Sequence, residues 1–209
     1  MLKAAFNFFL LLALVSLFIA RKSFILFLVL VVLLAIIAVV VRKAKILEDW
    51  SVFITGAQGR GDKVISTAKD SINARKVSTI EMKEEKVGPR LTPAAFGETR
   101  EFLKITDRRS LKLGSFKTYV NAIDYGDSLF VSWYLTYMPD IWQTIASLLP
   151  GTRKIIGLDD LDLFDRQDHT AYVTCVHKCV QDAVDKLMLE MGQGPSKVDR
   201  RSRGFLGIS

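Results

Sequence analysis

Apolar positions are spread very unevenly along this chain. Residues 4–20 are interrupted only by Asn7 and Ser16, and residues 24–41 contain no polar side chain at all. Arg21-Lys22-Ser23 separates the two runs. A bilayer core takes roughly 17–25 apolar residues in a helix, so both runs meet the length. The pattern predicts a membrane anchor over residues 1–45, drawn as a hairpin of helices 4–20 and 24–41. Arg21 and Lys22 would then sit at one interface, with Arg42, Lys43, Lys45 and Trp50 at the other. Two alternatives compete: a signal peptide ending at Ala20, weakened by Phe18 where a small residue is wanted, and a single span over 24–41. The absence of Gly or Pro between the runs counts against the hairpin.

Beyond the anchor the periodicity changes. Residues 46–75 read as a juxtamembrane helix, Lys45–Thr55, followed by a Gly-rich hinge and a short amphipathic helix over Asp62–Ala74 with Val64, Ile65, Ala68 and Ile72 on one side. Four segments then alternate as strands do: Lys76–Val87, Arg100–Thr106, Phe116–Asp124 and Ser128–Tyr137. Tyr125-Gly126-Asp127 reads as a hairpin connection between the last two. Met138–Leu149 suggests a short apolar helix closed by Pro150-Gly151. Phe164–Met191 suggests a long one, with Val173, Val176, Val180, Val184 and Leu187 forming a stripe. The expected fold is therefore a membrane-anchored α+β protein. Its domain, residues 76–191, is a mainly antiparallel four-strand sheet covered by a long C-terminal helix, and residues 192–209 form a basic flexible tail.

Charge refines this picture. The net charge of +7 is divided unequally: residues 42–118 carry a surplus of basic groups and residues 119–191 a surplus of acidic ones. A basic half next to the anchor suits anionic headgroups. With the basic residues after the second run, it predicts an integral membrane protein whose C-terminal domain faces the cytoplasm. The two cysteines, Cys175 and Cys179, are too few for a disulfide framework.

Four motifs invite chemistry, and each has a plainer explanation. Gly56-Ala-Gln-Gly59-Arg-Gly61-Asp62-Lys63 imitates a phosphate-binding loop, yet Asp62 separates Gly61 from Lys63 and Val64 stands where a magnesium-binding hydroxyl belongs. Aromatic strands near Lys104, Arg108, Arg109, Lys112 and Lys117 could stack single-stranded nucleic acid, although no RNP-type string is present. The acidic turn holds Asp160, Asp162, Asp165 and His169, a low-ranking set for a divalent metal that lacks the calcium-loop spacing. Carboxylates at a helix start also answer the helix dipole. Cys175, His177 and Cys179 lie on one helix, where His177 points away from both thiols, so the three cannot grip one ion.

No catalytic residue, cofactor or nucleotide is expected. The expected function is a membrane-tethered interaction or scaffold module, with the bilayer and a protein partner or homo-oligomer as its associates. The alternative is a membrane-bound enzyme using the acidic turn, residues 159–169, with a divalent metal.

Overall fold

Strand alternation from Lys45 onward builds one antiparallel sheet. The computed structural model describes residues 31–33, 44–88, 99–109, 113–138, 161–194 and 198–204. Its elements are β1 (Lys45–Thr55), α1 (Gly61–Ala74), β2 (Ile80–Val87), β3 (Arg100–Asp107), a 3-10 turn (Leu113–Ser115), β4 (Phe116–Tyr125), β5 (Ser128–Tyr137), α2 (Leu163–Glu190) and β6 (Arg203–Gly204). The chain divides into two compact units. One comprises residues 1–43 and 139–161, in which Val31–Leu33 is helical and exposed. The other comprises residues 44–138 and 162–209, and everything below concerns it.

The sheet has six strands in the order β2-β3-β4-β5-β1-β6. Strands β2 to β5 form a meander, while β1 returns to the far side of β5. Helix α1 carries the chain from β1 across the sheet to β2, touching β4 on the way, and α2 packs beside it against β5. Both helices therefore cover one face. That face presents Trp50 and Ile54 of β1, Leu103 and Ile105 of β3, Phe116 and Val120 of β4, and Leu129, Val131, Trp133 and Leu135 of β5, all buried. They meet Val64, Ala68 and Ile72 of α1 and the Val173, Val176, Val180, Val184 stripe of α2. The β4–β5 hairpin closes through Gly126, whose φ of +63° is the left-handed conformation a tight turn needs.

The expected fold is corrected on two points. The sheet has six strands instead of four, because Lys45–Thr55 is a strand and Arg203–Gly204 adds another. The membrane part of the expectation also fails: among the described residues, no helix is long and apolar enough to cross a membrane. The spans 4–20 and 24–41 lie outside the described residues except for Val31–Leu33, as do Arg21, Lys22, Arg42 and Lys43. The helix expected over Met138–Leu149 is outside them too from Pro139 onward.

The misreading of β1 has a visible cause. Its apolar residues fall at 46, 47, 50, 52, 53 and 54, and all but Val52 fit a helical spacing. The strand accommodates them with a bulge between Ile46 and Glu48, which shifts the register against β5. Trp50, expected at headgroup level, lies instead opposite Trp133 in the core and is 1% exposed. Lys45 begins the strand on the surface.

Candidate functional site

The acidic turn is taken apart by the start of α2. Asp162 is the N-cap, its carboxylate accepting the Asp165 N–H at 2.8 Å, which occupies it with an orphan donor of the first turn. Asp165 lies in that turn, beside the positive end of the helix dipole. One turn on, and within about 40° of Asp165 around the helix, His169 is 2% exposed. Its ring stacks obliquely on Phe116 at 4.3 Å. Burial pushes its pKa down to about 4 against a smaller pull from Asp107, so the imidazole is neutral at pH 7. Asp160 lies outside the described residues. Among the described residues, no group of three or more His, Cys, Asp or Glu side chains could hold a metal ion.

What His169 does meet was not legible in the sequence. Asp107, at the end of β3, is as deeply buried as His169. One of its oxygens accepts the Arg109 N–H at 3.0 Å, and the other lies 3.7 Å from the Arg109 guanidinium. Arg109 also pairs with Asp168 at 2.7 Å. Tyr172 donates to the Ile105 carbonyl at 2.8 Å and meets the Thr118 hydroxyl at 3.0 Å, tying α2 to β3 and β4. Its burial drives the phenol pKa upward.

The thiols and His177 diverge on α2. Cys179 is buried, and burial raises its thiol to about 11, so it is protonated and a poor nucleophile. His177 enters the core beside both tryptophans. Its Nδ1 accepts from Trp133 Nε1 at 2.9 Å, and its Nε2 lies 2.9 Å from the Arg200 carbonyl. The indole can only donate, so the proton sits on Nε2 and is donated to that carbonyl. Gln181 Nε2 donates to the same oxygen at 2.9 Å, and Trp50 Nε1 to the Asp199 carbonyl at 2.7 Å. Ser202 donates to the buried Glu48 carboxylate, and Arg203–Gly204 pairs with Glu48 and Asp49 as β6. Residues 198–204, read from the sequence as part of a flexible tail, are thus strapped along β1 by core side chains.

The loop that imitates a phosphate cradle holds a carboxylate of its own. Both Asp124 oxygens lie within bonding distance of the Gly59 N–H, at 3.0 and 3.1 Å. The helix expected over Asp62–Ala74 starts instead at Gly61 after Arg60, which makes no side-chain cap bond. Asp62 falls in the first turn.

The second face of the sheet is different in kind. No described helix packs on it, and its side chains alternate with the core set. Phe53, Phe130 and Ile123 form one cross-strand row over β1, β5 and β4. Phe53 is 58% exposed and Tyr125 is 72% exposed. The Phe53 ring lies 4.7 Å from Phe130 and 6.2 Å from Tyr125. Further along the same face, Phe102 meets Tyr119 edge-on at 6.0 Å, and Lys104 pairs with Glu85. Burial lifts the Tyr119 hydroxyl to about 12, with Glu85 adding to the shift. No protein-family model, curated protein or solved structure matches this chain.

Proposed function

We propose that the unit formed by residues 44–138 and 162–209 is a protein-interaction module that presents the open face of its sheet to a protein partner or to a second copy of the chain. The observation that carries this reading is the Phe53–Phe130–Tyr125 cluster. Three aromatic rings gathered on a face without a described helix are an apolar patch of the kind that marks contact surfaces. Aromatic residues also supply the anchors at which binding energy concentrates. The acidic turn does not favour the enzyme reading, because Asp162 is spent on capping and His169 on the core.

Site-directed photocrosslinking tests the proposal in the full chain. A benzophenone side chain at position 53 should yield a discrete adduct, either a dimer or a partner complex. The same group at Asp70, exposed on α1, should yield none. The adduct should disappear when Tyr125→Ser and Phe130→Ser are added. Absence of an adduct at 53, or equal yields at both positions, would refute the reading.

A further inference from the structure

The sheet is joined unequally along its width. Strand β3 pairs with β2 over its whole length, Arg100–Asp107, and β4 pairs with β5 from Phe116 to Tyr125. Between β3 and β4, however, the ladder covers only Leu103–Ile105 against Thr118–Val120. At the far end of that seam, Arg100, Glu101 and Phe102 face Asn121, Ala122 and Ile123 across a cleft of about 380 Å³. The Asn121 amide crosses it to donate to the Glu101 carbonyl at 2.9 Å. Helix α1 forms the floor. A Cβ at Gly61 would stand 2.9 Å from the Ala122 carbonyl oxygen, so only glycine lets the helix start this close to β4.

We propose that this fork takes an extended, lysine- or arginine-bearing segment of a partner polypeptide, added as a short strand between β3 and β4. Each wall offers three strand residues outside the β3–β4 ladder, about 10 Å of backbone at about 3.3 Å per residue. Of these, Glu101 and Ala122 turn their main-chain groups into the gap, and the incoming strand displaces the Asn121 amide from the Glu101 carbonyl. Strand addition draws its affinity from main-chain hydrogen bonds and its specificity from the alternate side chains. Here alternate positions would face Phe102 and Ile123 on the open side of the sheet, and Glu101, Ala122 and α1 on the other. The charge preference follows from the rim, where Asp62, Glu84 and Glu101 outnumber Arg100. Asp62 answers the positive end of α1, and Glu84 is held by Lys69. Among the described residues, Glu101 makes a long 3.8 Å ion pair with Lys86, both side chains about two-thirds exposed, and so loose a pair is worth little. Glu101 is the carboxylate that meets the incoming cation.

The fork is a second site, beyond the interaction surface proposed above, and its test is independent of that surface. Fluorescence anisotropy with the full chain would compare labelled acetyl-Val-Lys-Val-Lys-Val-amide with its glutamate counterpart. The basic peptide should bind saturably and about tenfold or more tighter than the acidic one. Glu101→Gln, a change at an exposed position, should remove most of that preference. Ala122→Trp should block both peptides, while Phe53→Ser should change neither. Bound peptide should also protect the Glu101 and Ala122 amides, which turn into the gap, from hydrogen exchange. No binding up to ~1 mM, equal affinity for both peptides, or a preference indifferent to Glu101→Gln would overturn the proposal. So would competition by acetyl-lysine-methylamide as strong as that of the pentapeptide, since the site would then read an ammonium group without a strand. If Ala122→Trp fails to fold, Glu101→Gln and the exchange map still decide.

Discussion

On the helix-covered face of the sheet, Trp50 and Trp133 oppose each other across β1 and β5, and each is at most 1% exposed. On the opposite face Phe53 and Phe130 oppose each other across the same two strands, three residues further along, and Phe53 is 58% exposed. The two pairs are chemically alike: large, aromatic and directly cross-strand. What separates them is the parity of their positions and the presence of α1 and α2 on one side. Burial makes the first pair core, while on the second face Phe53 is exposed although Tyr119 and Ser132 are buried, so aromatic residues in a strand report on function only after their burial is known.

The sharpest way to break this comparison is truncation on each face. Trp133→Ala should cost about 3–5 kcal/mol, since it empties core volume and removes the donor to His177. Phe53→Ala should stay within about 0.5 kcal/mol, as for other exposed positions. Urea unfolding measures both. Similar costs would mean that the open face is covered in the folded chain.

Acid should act on the covered face through its two buried imidazoles. His169 ionises near 6.5 when unfolded and about 4 when folded. Between those values the unfolded state binds more protons, so stability is complete above about pH 6.5 and is lost as pH falls toward 4. The difference corresponds to about 3 kcal/mol. His177, also lowered by burial, changes stability in the same direction. Unfolding at pH 7 and pH 4.5 should show the drop, and His169→Phe should remove His169's share. An unchanged slope in that variant would place the acid sensitivity elsewhere.

A smaller effect is expected where the tail meets β1. Gly204 adopts φ +144°, and a Cβ there would collide with the Leu47 carbonyl and approach the Glu48 Cα at 2.7 Å. Gly204→Ala should cost about 1–3 kcal/mol and speed proteolytic trimming at residues 195–204, leaving the aromatic row on the open face undisturbed. Trimming at the wild-type rate would show that β6 does not hold the strap.

Much of this architecture is readable from local pattern. Strands β3, β4 and β5 follow their alternation, the hairpin follows Gly126, and α2 follows its valine stripe, because each signal is carried within a few neighbouring residues. The candidate site was less legible. Asp162 and His169 are seven residues apart and share a helical phase, so only the cap bond of the one and the burial of the other tell them apart. Nothing near Asp107 in the chain announces that it will be buried beside Arg109 and face His169.

The chain by itself thus determined the β4–β5 hairpin, the long helix and the two long apolar runs near its start, since periodicity and turn chemistry are local properties. Tertiary structure decided the rest. Lys45–Thr55 has helical spacing but becomes a strand because β5 offers ten residues of partner backbone in register. Residues 198–204 look like a solvated basic tail, yet three core donors, Trp50, His177 and Gln181, converge on two of their carbonyls. Such bonds join residues up to 149 positions apart. Local pattern carries no trace of them, because they exist only once the sheet and α2 have brought those donors together.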